Sequence, residues 1–230
     1  THAQHRLCDV MSSESSASLQ QAGAVIALHA CGDLHTHLVR RVSAQQAAAL
    51  ALAPCCYNRT QSEFYQPLSA QGQASALRLN RDDLGLPLTA TVTATSRERS
   101  LRDQSMAWRL AFDLLQRELR GVDAYLPTPS LSVAWFNKPF VQWCADLAEL
   151  KDLPAMPVQN WIDLQSRGWQ RLAEVRNLEL VRALFRRPLE LWLVLDQALF
   201  LSEQGFRVEL GEFCTSELTP RNLLLLARRS

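Results

Sequence analysis

The stretch AVIALHACGD, residues 24–33, decides the fold of this chain. Ala24 to Ala30 is a continuous apolar run, as a strand covered on both faces requires. It stops at Cys31-Gly32-Asp33. Leu34 to Leu50 has helical content, with Leu38, Val42 and Ala49 as inward positions. Ala49 to Ala53 reads as a second buried strand and runs into Pro54-Cys55-Cys56-Tyr57. Upstream, His5 to Val10 reads as the end of another short strand, and Met11 to Gln21 as loop mixed with weak helix. Strands alternating with helices predict an α/β fold with a parallel, doubly wound sheet. Ligands of such sheets lie beyond the carboxyl ends of the strands. Asp9, His29 to Asp33 and Pro54 to Tyr57 all fall at those ends.

Further along, the pattern turns helical. Ser96 to Leu119 carries an apolar face of Trp108, Leu110, Ala111, Leu114, Leu115 and Leu119. Pro127 and Pro129 break the chain, and Val133 to Leu150 is a further predicted helix. Trp169 to Arg187 is amphipathic, with Leu172, Val175, Leu178, Val181 and Phe185 at helical spacing. Pro188 suits the first turn of the next helix, which ends before Gly205. Phe206 to Cys214 alternates apolar and polar residues, and Asn222 to Arg228 is a second short strand. Together they predict an antiparallel pair that closes the sheet.

Composition narrows the class. Of 230 residues, 47% are hydrophobic and 20% charged, which is globular rather than disordered. A formal net charge of +1 gives no bulk pull towards nucleic acid or membrane, so any basic site must be local. The six cysteines form no compact disulfide framework, which fits free thiols in a reducing cytoplasm. The most apolar run, Leu189 to Leu201, is interrupted by Glu190 and Asp196 and reads as a buried helix; a bilayer span needs about 20 apolar residues.

Two motifs carry a resemblance: Leu28-His29-Ala30-Cys31-Gly32-Asp33-Leu34 and Pro54-Cys55-Cys56-Tyr57. The pair resembles the methyltransferase-like family that includes proteins described as having a ribosomal RNA adenine dimethylase-type domain. The closing stretch, Glu203 to Phe206 through Thr219 to Asn222, resembles its bacterial branch. The resemblance implies a Rossmann-like methyltransferase sheet that uses S-adenosylmethionine. Arg6 to Val10, Val25 to Ala30 and Leu50 to Ala53 would be its third, fourth and fifth strands, and the C-terminal pair its last two. The first two strands, with the glycine-rich turn and the ribose-binding acid, have no counterpart here, and no GxGxG-like run occurs among the 230 residues. The expected division is residues 1–57 as part of the cofactor core, 58–204 as a helical insertion for substrate recognition, and 205–230 as the closing strands.

Site residues follow from the strand ends and the resemblance together. Asp9, Val10, His29, Ala30, Cys31 and Gly32 are the expected cofactor side, with Gly32 allowing close backbone approach. Asp33 is a carboxylate that can orient an acceptor or take its proton, or cap the helix that follows. Pro54, Cys55, Cys56 and Tyr57 are the expected substrate side, with Tyr57 stacking on a flat acceptor. Asp33 and Tyr57 are the expected catalytic pair. His29, Cys31, His35, His37, Cys55 and Cys56 are also metal-ligand types, and zinc needs four converging N or S donors. There is no CxxC pair, and adjacent strand residues point to opposite faces, so no metal is assigned. Arg167, Arg171, Arg176, Arg182, Arg186 and Arg187 read first as a solvated helix face and second as a track for a phosphate backbone. The leading expectation is thus a cytoplasmic S-adenosylmethionine-dependent methyltransferase with RNA as the favoured acceptor. The competing readings are a catalytically inactive RNA- or protein-binding module and a zinc-dependent domain.

Overall fold

The computed structural model describes residues 7–12, 15, 19–20, 22–45, 47–89, 95–157 and 159–229. Its elements in chain order are β1 (Ala24–Cys31), α1 (Asp33–Ala44), β2 (Ala49–Cys55), α2 (Ala70–Ala74), α3 (Arg81–Gly85), α4 (Ser96–Arg120), α5 (Phe140–Leu150), α6 (Trp161–Ala183), α7 (Arg186–Glu203), β3 (Phe206–Glu212) and β4 (Leu223–Arg229). Short 3-10 turns occupy Leu86–Thr89 and Val133–Asn137. The chain divides into two compact units, Thr1–Val92 with Ala183–Ser230, and Thr93–Arg182.

The first unit holds a four-stranded sheet in the order β1-β2-β4-β3. β1 and β2 are parallel, as the crossover through α1 requires. β4 runs antiparallel to both β2 and β3. This is the α/β sheet with an antiparallel closing pair that the sequence predicts, and it is consistent with a Rossmann-like methyltransferase fold. Leu50, Leu52, Leu225 and Ala227 are buried at its centre. They share one apolar cluster with Leu38, Val39 and Val42 of α1 and Leu193, Val194 and Leu201 of α7. Helix α1 buries His35, Leu38, Val39 and Val42, one stripe at i, i+3, i+4 and i+7.

Residues 58–89 belong with this sheet rather than with the helices that follow. The reason is a buried carboxylate. Asp196 of α7 accepts from the Tyr65 hydroxyl (2.8 Å), Leu68 N–H (2.8 Å), Ser69 N–H (2.9 Å) and Ser69 hydroxyl (2.6 Å). These donors replace the water that a buried charge loses. Gly72 is required beside it, since a Cβ there would lie 2.2 Å from the Asp196 Oδ1 atom. The segment is thereby tied to α7, and Leu68, Leu79 and Leu84 enter the same apolar cluster.

The second unit has its own core of Trp108, Phe112, Phe140, Trp143 and Leu147. Helix α4 begins with a capping box between Thr95 and Glu98 and ends at Gly121 in the left-handed region. Gly168 of α6 lies against α4, where a Cβ would be 2.4 Å from the Ala107 carbonyl oxygen.

Several expectations are corrected. Leu7 to Val10 form no strand, and His5 and Arg6 lie outside the described residues; Leu7 is fully exposed, and Asp9 turns the chain by accepting the Met11 N–H. Val133 to Leu150 is a 3-10 turn and a separate helix, because Pro139 stands at the N-cap of α5. The helix expected over Trp169 to Arg187 ends at Ala183, and of its apolar stripe Leu172 is buried while Leu178, Val181 and Phe185 are exposed. A stripe marks an inward face only where another element covers it.

Replacing Asp196 with Ala strands four donors. Urea unfolding is expected to show a loss of more than about 3 kcal/mol. The exposed Asp163→Ala is expected to stay within about 0.5 kcal/mol. A loss below 1 kcal/mol for Asp196→Ala would contradict this role.

Candidate functional site

The carboxyl ends of β1 and β2 are shaped by backbone that ordinary strand geometry does not allow. The β1–β2 register slips between Leu28 and Ala30, and His29 there has φ 55°. Cys31 and Cys55 are register partners. Pro54 is tolerated because β4 pairs with β2 only over residues 49–52, so Pro54 has no ladder to break on that side. Cys56 follows with φ 45°. These positive angles are uncommon outside glycine and mark held strain.

Gly32 joins β1 to α1 with φ 54°. A Cβ at Gly32 would lie 1.7 Å from the Arg59 carbonyl oxygen, so no other residue fits. That same oxygen accepts the Asp33 N–H at 3.0 Å, and Asp33 Oδ2 accepts the Gln61 N–H at 2.7 Å. Asp33 is therefore the first residue of α1 and a clamp on the loop after β2; Gly32 occupies the N-cap and no side chain caps the helix.

Loop and helix enclose a cavity of about 230 Å³ lined by Met11, Gly32, Asp33, His35, Thr36, His37, Arg40, Tyr57 and residues of the 60–66 loop. Apart from His35 at its edge, the lining of α1 is a polar stripe, Asp33, Thr36, His37 and Arg40, at i, i+3, i+4 and i+7. It faces away from the buried stripe that begins at His35. That periodicity is legible in the sequence and identifies Thr36, His37 and Arg40, which the motif-led reading passes over as site residues. Tyr65 and Gln61 carry no such signal.

Burial lowers the His35 pKa from 6.5 to about 4, and its Nδ1 lies 3.1 Å from the Ala30 carbonyl oxygen. This histidine is neutral and structural, packed edge-on to Tyr57 with ring centroids 5.6 Å apart. Burial first, then the charges of Arg41 and Arg40, lower the pKa of His37. Its Nε2 is buried without a partner among the described residues. Tyr57 forms part of the cavity wall but is only 3% exposed. Burial, then the charge of Glu190, raises its pKa well above the usual value, and its hydroxyl has no partner among the described residues. Its ring is not an open stacking platform.

The other predicted residues divide in two. Val10 and Ala30 pack with the apolar core, and the exposed Asp9 makes a local turn. Cys31, Cys55 and Cys56 form a separate cluster, and His29 approaches it at Cys55 alone, with Nδ1 3.9 Å from that Sγ. The three Sγ atoms lie within 4.8 Å of one another, with Cys31 and Cys55 at 3.4 Å. The expectation that Cys55 and Cys56 diverge does not hold. The positive φ of Cys56 takes it out of strand geometry, so the alternation rule no longer applies. Burial, then the neighbouring Cys31 and Cys56, pushes the Cys55 thiol up to about 12, so it is no thiolate nucleophile at neutral pH.

Two outcomes are expected. Gly32→Ala must displace the Arg59 backbone and is expected to cost several kcal/mol, against about 1 kcal/mol for Gly121→Ala, where a Cβ meets open space. Equal losses in denaturant titrations would refute the jammed contact. The second concerns pH. Because the folded pKa of His35 lies below 6.5, the unfolded chain binds more protons between pH 6.5 and about 4, and stability falls as pH falls through that window. The loss is about 3 kcal/mol at most. His37 acts in the same direction and the raised pKa of Glu190 opposes it. His35→Asn, which keeps a donor for Ala30, is expected to flatten the slope relative to the parent; an unchanged slope would exclude His35 as its source.

No solved structure matches this chain. Residues 2–63 match a family model described as "Methyltransferase domain". The matched residues contain both strand-end motifs, Gly32 and the start of the loop that closes the cavity, and the match supports a methyltransferase domain here.

Proposed function

We propose that this chain takes part in methyl transfer from S-adenosylmethionine to an N–H or O–H acceptor held at the cavity beside Gly32 and Asp33. The observation that carries this reading is the family match over the same two strand ends that border the cavity. The sheet order, with two parallel strands followed by an antiparallel pair, is consistent with it. The acceptor class is taken as RNA, on the sequence resemblance.

The fit of ligand to residues is partial. The cavity, about 230 Å³, is smaller than the roughly 300–1,000 Å³ of pockets that enclose a whole small molecule. It suits one reacting end and not cofactor plus acceptor together. Of the expected cofactor residues, Asp9, Val10, His29, Ala30 and Cys31 do not line the cavity, and the bare face of Gly32 is taken by the Arg59 carbonyl, so this reading puts the cofactor outside it. S-adenosylmethionine brings a methyl group already activated by its sulfonium, so the protein's task is alignment and exclusion of water. Asp33 holds the loop through one carboxylate oxygen, and its charge can orient the acceptor hydrogen. His37, held towards its neutral form, lines the cavity and has a buried ring nitrogen without a partner among the described residues; a turn of the ring would present it as a proton acceptor. Tyr57 backs the wall.

In the full-length protein, Asp33→Asn keeps an oxygen for the Gln61 N–H but removes the charge. Single-turnover transfer of labelled methyl to total RNA is expected to fall at least tenfold, about 1.4 kcal/mol, with cofactor affinity within about twofold and melting temperature unchanged. Absence of cofactor binding by calorimetry would overturn methyl transfer as the function. Label appearing in protein instead of RNA would overturn the acceptor class, and unchanged turnover would leave Asp33 as a loop clamp alone.

A further inference from the structure

Nothing in methyl transfer requires three thiols to meet at the ends of β1 and β2. Yet the backbone is bent twice to bring them together. Among the described residues, the non-glycine positions with positive φ are His29, Cys56 and Asp152, and the first two lie at this cluster. Strain of this kind persists where the surroundings over-determine it, and it concentrates at ligand clamps.

The spacing discriminates between uses. In a tetrahedral zinc site with Zn–S near 2.3 Å, the sulfurs stand about 3.8 Å apart. A disulfide needs about 2.05 Å. Cys31 and Cys55 are at 3.4 Å, and all three sulfurs lie within 4.8 Å of one another, so a shared ion needs the smaller movement. The His29 Nδ1 atom is 3.9 Å from Cys55 Sγ, near the roughly 3.6 Å that two donors of N and S type keep on one zinc, but it does not lie within 4.8 Å of all three sulfurs, so its ring has to turn to complete the set. His29 is exposed, Cys31 and Cys56 are half-buried and Cys55 is buried, so the cluster can be reached from solvent. Three thiolates with an imidazole suit zinc in preference to the hard oxygen-seeking cations.

We propose that Cys31, Cys55 and Cys56 bind one zinc ion at the carboxyl ends of β1 and β2, with His29 as the fourth ligand. The set is of the closed Cys₃His type, so the ion ties the two strand ends and takes no water as nucleophile. Binding releases the protons of three thiols. The proposal does not rest on methyl transfer, and its readouts are independent of turnover.

The test uses the reduced, chelator-stripped full-length protein titrated with Co²⁺ and then Zn²⁺. One Co²⁺ per chain is expected, with thiolate-to-cobalt charge-transfer absorption that zinc abolishes. Cys31→Ser and Cys55→Ser should each weaken zinc binding by at least the roughly 10–100-fold that follows loss of a mere supporting group. Alkylation mapped by mass spectrometry on the unmutated protein avoids reliance on variants that fail to fold. Zinc should slow modification of Cys31 and Cys56 and leave Cys8 and Cys214 reacting as before. No charge-transfer band, equal alkylation with and without zinc, or a Cys31–Cys55 disulfide whose reduced form takes up no cobalt would each overturn the proposal.

Discussion

The contact between Gly32 and the Arg59 carbonyl sets everything around it. A Cβ at Gly32 would sit 1.7 Å from that oxygen, so the loop after β2 can approach the β1–α1 junction only over a bare backbone. Given that approach, Arg59 can take the Asp33 N–H, and Asp33 can in turn take the Gln61 N–H. The cavity exists because this loop is folded back over the start of α1. Its polar lining on α1 follows from helical periodicity once the opposite stripe is committed to the sheet.

The second support is remote in sequence. Asp196 reaches from α7 to hold Tyr65, Leu68 and Ser69, and Tyr65 is itself part of the cavity lining. A buried carboxylate with four donors is costly to disrupt, since each donor would be left without water or partner. The far wall of the cavity is thus fixed by a residue that no local pattern connects to it.

This division explains what could be read in advance. The strands β1 and β2, helices α1 and α7 and the closing pair β3 and β4 are each announced by local signals: apolar runs, 3.6-residue stripes, Pro188 and Gly205. The parallel pairing follows from the helix between the strands. Non-local choices are where the reading stops. Residues 58–89 join the sheet unit through Asp196, and a carboxylate in an apolar run announces burial without naming its partners. The boundary near Val92 and Ala183 is likewise a matter of which core each segment enters. Trp108, read from the sequence as part of an apolar helix face, packs with Trp143 in the core of the helical unit. At the site itself, the motif residues are found at the strand ends as expected, but their side chains sort differently. Tyr57 is enclosed, and Cys56 leaves the strand alternation on which the metal argument depended.

Gly32 also separates two chemistries that share one strand end. Cys31 on one side of it faces Cys55 and Cys56, and Asp33 on the other faces Gln61. The loop from Cys56 to Gln61 is therefore anchored at both ends by groups that leave β1 one residue apart from Gly32. The sulfur cluster fixes where the loop starts, Arg59 fixes its middle and Asp33 its end. A loop restrained at three points loses little further entropy when a ligand meets it, which is the condition for alignment to lower a barrier. An ion on the thiols would stiffen the first of these points, and the effect would reach the cavity through a backbone that has no room at Gly32 to give way.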